Sequence, residues 1–218
     1  MTVTTELPEF RLLRSDTEQR ECRAALSRLF GGDGTIYLIV GFFTYNGYRS
    51  IREEIIDFLE RDPGNELHVV VGPATDQFSP RIAQDLRSLA AGDRVQVYTY
   101  RRGLHAKLYL RDGPDPMVIH TSANLTQVAF SYNLELGFQL VANDRSHPQI
   151  APFIAWAEEL VDRSKPMRRR DLLWIVQLLT SIANWSNKAR LLPRRHIAKR
   201  MAPFLVLLVA VAIVAGIL

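Results

Sequence analysis

Residues 35–43 read Thr-Ile-Tyr-Leu-Ile-Val-Gly-Phe-Phe, a short and almost unbroken apolar run. A run of this length, rich in β-branched and aromatic residues, is the pattern of a strand covered on both faces. Such a strand has a place only inside a sheet with helices layered on it. The flanking sequence agrees. Helical periodicity precedes it at residues 16–30, through Ala24, Ala25, Leu26, Leu29 and Phe30, and stops at Gly31-Gly32. It returns at 48–60, with Ile51, Ile55, Ile56 and Leu59 on one face, until Asp62-Pro63-Gly64-Asn65 breaks it. Further strands are expected at 67–71, 95–100 and 134–141, and helices from Ser79-Pro80 and over 148–161. This alternation predicts an α/β domain, a mixed sheet flanked by helices. Residues 1–15 are polar, lack a pattern, and read as extended or mobile.

With 218 residues the chain has room for one such domain and an appendage. Its 27 Lys+Arg against 23 Asp+Glu give a net charge of +4, too mild to argue for nucleic-acid binding unaided. Cys22 is the only cysteine, which excludes an intrachain disulfide framework, fits a reducing compartment and reads as a buried thiol. The N-terminal stretch is polar and acidic, unlike a signal peptide, and no internal repeat is visible.

The chemistry gathers at residues 104–112, Leu-His-Ala-Lys-Leu-Tyr-Leu-Arg-Asp. Leu104, Ala106, Leu108 and Leu110 alternate, so the segment reads as a strand with one buried face and with His105, Lys107, Tyr109 and Arg111 on the other. A turn at Gly113-Pro114-Asp115-Pro116 leads to residues 117–119, then His120-Thr121-Ser122-Ala123-Asn124, and later Asn133-Leu134-Glu135. Imidazole can attack phosphorus, ammonium and carboxamide can hold phosphoryl oxygens, and a carboxylate can orient the imidazole. His68, His120, His147 and His196 have no metal-ligand spacing, so no metal site and no cofactor is expected.

His105-x-Lys107 followed by four residues and Asp112 resembles the HxKxxxxD signature of the phospholipase D superfamily. Ser122-x-Asn124 and Asn133-x-Glu135 resemble its second and third elements, and the resemblance covers about residues 36–161. Thr121 stands where the family usually has glycine, and the gap from Asp112 to Ser122 is slightly long, as an extended hairpin turn would make it. The resemblance implies the family's fold. It also implies a homodimer, because family sites combine two HxK motifs and this chain has one. One His105 would be the nucleophile and the other the acid; Lys107 and Asn124 would hold non-bridging oxygens with help from Ser122, and Glu135 would orient the histidine. Asp112 suits bracing a loop or pairing with a basic group better than chemistry. Read without the family, Asn124 could instead cap a helix beginning at Leu125. Arg101 and Arg102 would form a phosphate-attracting rim, His120 lies close enough for a substrate contact, and Tyr45 and Asn46 are placed by topology alone to line the cleft.

Single-motif members that resemble this chain are mostly nucleases, so the expected activity is metal-independent endonucleolytic cleavage of DNA or RNA. A phospholipid phosphodiesterase or transphosphatidylase is the alternative, and an inactive phosphate-binding scaffold the third reading. The division expected is an N-terminal segment and helix over 1–35, a catalytic domain over 36–163, a basic linker and amphipathic helix over 164–200, and a span over 201–218. The helix at 171–184 could pack on the domain, on a partner subunit, or in a membrane interface. Residues 201–218 carry no charge, and eighteen helical residues reach roughly 27 Å, near the thickness of a bilayer core. Lys188, Arg190, Arg194, Arg195, Lys199 and Arg200 precede them, which places the catalytic domain on the cytoplasmic side of a single-pass C-terminal anchor.

Overall fold

The computed structural model describes residues 7–16, 18–72, 80–90 and 92–167. The expectations for residues 171–184 and 201–218, and the N-cap at Ser79, fall outside them. Among the described residues no helix is long and apolar enough to cross a membrane.

The apolar run forms β2 (Thr35–Val40), with Ile36 to Val40 all buried, so the strand is covered on both faces as expected. On one side it pairs in parallel with β3 (Glu66–Val71), and β3 with β4 (Val95–Thr99). On the other side it pairs antiparallel with β5 (Lys107–Asp112), followed by β6 (Met117–Thr121) and β7 (Glu135–Val141). The outer strands are β1 (Glu9–Ser15), paired with β7, and β8 (Lys165–Pro166), paired with β4. The sheet order is β1-β7-β6-β5-β2-β3-β4-β8. β1 lies in a segment read as patternless: it is an edge strand that exposes Phe10 and Leu12 and buries only Leu13 and Ser15. Lys165 and Pro166, read as linker, extend the sheet at its opposite edge.

Helices α1 (Glu21–Leu29), α2 (Tyr45–Arg49), α3 (Arg52–Arg61), α4 (Pro80–Ser88) and α5 (Gln127–Ser131) contribute to one core cluster, and α6 (Ala151–Asp162) to a second. Side chains alternate along β5, Tyr109 joining the first cluster and Leu108 and Leu110 the second, so the clusters lie on opposite faces of the sheet. α1 begins later than its periodicity suggests because the Asp16 carboxylate accepts the N–H groups of Glu18 and Gln19 and turns the chain. The helix expected over 48–60 is two helices. The Ser50 hydroxyl donates to the Gly47 carbonyl at 2.7 Å, a local bond that competes with helix continuation.

The strand expected over 104–112 is also corrected. Regular pairing begins at Lys107, and both faces are buried. Arg111, assigned to an open face, is 6% exposed and donates to the carbonyls of Arg28 and Leu29, the orphan acceptors at the end of α1, and to that of Asp115.

Candidate active site

The polar residues gather where the central strands of the sheet end. There β2 ends, β5 begins, β6 ends and β7 begins, so residues far apart in sequence come within reach of one another. His105 stands exposed just ahead of β5, tied in where Gly41 N–H donates to the Ala106 carbonyl at 3.2 Å. Lys107 is 7% exposed, and its Nζ lies 3.2 Å from His105 Nε2 and 2.9 Å from the His105 carbonyl oxygen. An ammonium only donates, so where it bonds to the ring it needs an Nε2 that accepts. Burial pulls the Lys107 ammonium below the usual lysine range, while the Glu135 carboxylate opposes that shift.

After β6 the chain turns through Ser122, Ala123 and Asn124. Asn124 Oδ1 accepts the Phe42 N–H at 3.2 Å, which leaves the amide NH₂ as the donor directed elsewhere. Asn124 therefore does not cap the next helix; Thr126 does, its hydroxyl accepting the Ala129 N–H at 3.1 Å. Close approach fixes this corner: a Cβ on Gly47 of α2 would stand 2.0 Å from the Leu125 carbonyl oxygen.

Glu135 is 7% exposed with both oxygens engaged. Ser122 Oγ donates to Oε2, and Asn133 Nδ2 donates to Oε1 at 3.0 Å. The expected orienting bond from Glu135 to His105 is not made within one chain. Thr121, in place of the family glycine, fits because its hydroxyl is used on the buried side. It donates to the Leu136 carbonyl at 3.2 Å, accepts the Ala123 N–H at 3.2 Å and lies 3.3 Å from Cys22 Sγ. The buried-thiol reading of Cys22 agrees with this.

The remaining expected residues separate from the cluster. Asp112 ends β5, five residues or roughly 16 Å along the strand from Lys107. There it pairs with Arg145 at 2.9 Å; burial raises its pKa and Arg145 opposes the rise. His120 points to the α6 side of the sheet, where it stacks on Phe138 at 5.6 Å, away from Lys107. Arg101 and Arg102 are exposed on the segment leading to His105. Asn46 is exposed and Tyr45 half-buried, the latter beneath the Arg81 guanidinium at 4.7 Å. Among the described residues no group of three or more His, Cys, Asp and Glu side chains is placed to hold a metal.

The profile of a family described as "Cardiolipin synthase, PLD-like domain" matches residues 33–159, more than half of the chain. The chain belongs to the phospholipase D superfamily. That superfamily comprises phosphodiesterases and phosphotransferases. No curated protein matches the chain by sequence. Among solved structures, the phospholipase D family member Nuc from Salmonella typhimurium is similar at 16% identity and a TM-score of 0.58, over 74% of this chain and 99% of that one. NucT from Helicobacter pylori is similar at 16% identity and 0.52, over 72% and 99%. Phosphatidylserine synthase from Haemophilus influenzae Rd KW20 is similar at 14% identity and 0.58, over 83% of this chain but 47% of that one. At these identities the likeness is one of fold.

Two members of this phospholipase D-like cluster were not singled out from sequence. The Phe42 N–H, which sets the Asn124 amide, is a backbone group and leaves no mark in a sequence. Tyr109 does leave one, since it shares the alternation of His105 and Lys107. Its hydroxyl donates to the Ala123 carbonyl at 2.7 Å and thereby ties the strand of the histidine to the loop of the asparagine.

Proposed function

We propose that this chain is a metal-independent phosphodiesterase that cleaves DNA or RNA internally, through a phosphohistidine intermediate, in a site shared by two copies. The observation that carries the reading is one corner holding the His105 imidazole, the buried Lys107 amine 3.2 Å from its Nε2, and a carboxamide whose oxygen is already bonded to the backbone. These groups suit a phosphoryl centre and its non-bridging oxygens. On substrate binding the Lys107 ammonium turns to a phosphoryl oxygen and frees the Nε2 lone pair. Nε2 attacks phosphorus, the bond to the leaving oxygen breaks, and that oxygen takes a proton from a second imidazole. Water then attacks phosphorus while the second imidazole removes its proton; the P–N bond breaks and His105 is restored. Among the described residues one chain offers one such histidine at this end of the strands, so the acid is the His105 of a second copy. Ser122 and Asn133 hold Glu135 beside Lys107, where its charge supports the ammonium.

The apolar residues 201–218, with the basic cluster before them, anchor this enzyme as a single C-terminal span with the catalytic domain on the cytoplasmic side. A second reading, phospholipid as the diester, is favoured by the matching family's description as a cardiolipin synthase domain. The deciding experiment offers the purified protein single-stranded DNA, duplex DNA, RNA and phosphatidyl-lipid vesicles in EDTA. Internal cuts in an oligonucleotide support the proposal, and turnover of lipid alone selects the second reading. Activity that disappears in EDTA and returns with magnesium or manganese overturns the metal-independent chemistry.

A further inference from the structure

α5 joins the two loops that build the site. Asn124 lies ahead of it, Asn133 and Glu135 after it, and Gln127–Ser131 form the helix between. Ala129 and Phe130 pack into the same core cluster as Tyr109. Tyr109 and Lys107 share one face of β5 by alternation, so α5 lies on the sheet face that carries the site. Its outer side is apolar. Val128 is 55% exposed, Tyr132 at the helix end 66%, and Leu134 83%. Val128 and Tyr132 stand one turn apart, and the Val128 carbonyl accepts the N–H groups of Tyr132 at 2.9 Å and of Asn133 at 3.1 Å. That turn sets Tyr132 directly beside Asn133, whose amide donates to Glu135 at 3.0 Å. Single exposed apolar side chains are ordinary, but three gathered between residues 128 and 134, at the border of a polar corner, mark a contact surface.

The charge around this surface selects what it meets. Residues 34–52, 94–111 and 116–134 hold β2, β4, β5 up to Arg111, β6 and α5, and they contain no Asp or Glu. Glu135, the carboxylate that closes the corner, is buried with both oxygens bonded. Arg49 on α2 and Arg101 and Arg102 ahead of His105 are exposed, and so is Arg81 of α4, over the Tyr45 ring. Such a surface draws a polyanion. Arginines on three separate segments match a run of successive phosphates better than a single headgroup. A duplex gives the apolar side of α5 nothing to hold, because its bases are stacked inward behind sugar and phosphate. An unpaired strand offers both partners, phosphates for the arginines and base faces for an aromatic ring. We infer that the substrate strand enters unpaired and that Tyr132 stacks on a nucleobase beside the scissile phosphate, with Val128 and Leu134 flanking the same base. The inference rests on the nuclease reading above and narrows it to single-stranded nucleic acid. Every base has a face to stack, so the contact is tolerant of sequence.

The test uses the full-length protein in detergent and EDTA. Its substrates are a labelled single-stranded oligonucleotide, in DNA and RNA forms, and the same strand annealed to its complement. An oligomer of abasic sugar phosphates serves as a competitor. The single strand is expected to exceed the duplex about tenfold or more in kcat/KM. Tyr132→Ala should raise KM on the single strand about tenfold with kcat changed less than about twofold, and Tyr132→Trp should restore it, the circular-dichroism melt staying unchanged. The inhibition constant of the abasic competitor should not move in Tyr132→Ala, since there is no base to lose. An equal weakening of the abasic competitor overturns the inference, because the ring would then act by shaping the loop. Unchanged KM in Tyr132→Ala and in the Val128→Ala, Tyr132→Ala double variant, with oligonucleotides still cut, overturns it and leaves the nuclease reading in place. Binding to anionic phosphatidyl vesicles that falls in Tyr132→Ala, with oligonucleotide KM unchanged, gives the surface to lipid and also overturns it. A wild type that cuts no oligonucleotide overturns the nuclease reading and this inference with it.

Discussion

Replacing Tyr109 with phenylalanine keeps the buried ring and removes a single oxygen. That oxygen makes the 2.7 Å bond to the Ala123 carbonyl, in a place where Tyr109 is 1% and Ala123 0% exposed. Water cannot substitute there without opening the core, so the carbonyl is left unpaired, at a cost of about 1–3 kcal/mol. For a chain of this size that amounts to a fall in Tm of roughly 2–12 °C. Burial also holds the phenol proton far above the ordinary tyrosine range, so the bond is intact across the working pH range and its loss should not depend on pH. The larger effect should be catalytic. The bond joins β5 to the loop bearing Ser122 and Asn124, and loosening it lets the carboxamide drift relative to His105. Misplacement on the ångström scale can lower turnover by up to about a hundredfold. Thermal melts followed by circular dichroism, together with kcat on a small chromogenic diester in EDTA, read both quantities. A Tyr109→Phe protein that melts and turns over like wild type would refute the reasoning, because the bond would then position nothing.

His105→Ala should abolish turnover, while His105→Asn should abolish it and leave substrate binding within a few-fold of wild type by fluorescence anisotropy; an active His105→Ala protein removes the nucleophile assignment. Mixed dimers of wild-type and His105→Ala chains should be strongly impaired if, as proposed, nucleophile and acid come from different copies, and retention of half the activity in tandem-purified mixed dimers would contradict the shared site. Arg145→Ala should carry a pH-dependent stability deficit. Burial already raises the folded Asp112 pKa above its unfolded value of 3.8, and removing Arg145 raises it further, so the deficit should be small near pH 3.5 and grow as pH climbs through the folded pKa. Denaturant melts at several pH values check this, and a deficit that shrinks toward neutrality contradicts it. Deleting residues 201–218 should move the protein from the membrane to the soluble fraction with activity intact, and a full-length protein stripped from membranes by carbonate would end the anchor proposal.

What could be read from the sequence was whatever leaves a local pattern. The apolar run over residues 35–43 announced a covered sheet, and the family resemblance carried by His105-x-Lys107 and Ser122-x-Asn124 pointed to a corner shared by the two segments. β1 was not legible because it is an edge strand whose partner, β7, enters much later in the chain, and most of its side chains face outward. Arg111 was misread because alternation reports which face a residue occupies but not what covers that face. Here the covering includes the end of α1, whose carbonyls need donors. The partners of Glu135 were half-visible: Asn133 sits two residues away, but the Ser122 hydroxyl reaches it only because β6 and β7 are neighbours. Nothing local says that a carboxylate placed to serve a histidine is held, within one chain, by a serine and an asparagine.

The separation of Asp112 from His105 along β5 bears on how kinship within the superfamily is interpreted. Three residues that share one signature lie at opposite ends of β5 and have different surroundings, His105 just ahead of the strand and Asp112 at its end. In the function proposed above His105 and Lys107 would answer to the reaction, whereas Asp112 is joined to Arg145 and through it to Glu158 of α6. A lineage that abandoned catalysis would be free to exchange the first two and would still be held to the third. Retention of the aspartate in a distant homologue is therefore testimony to shared architecture, and only the histidine–lysine pair testifies to shared chemistry.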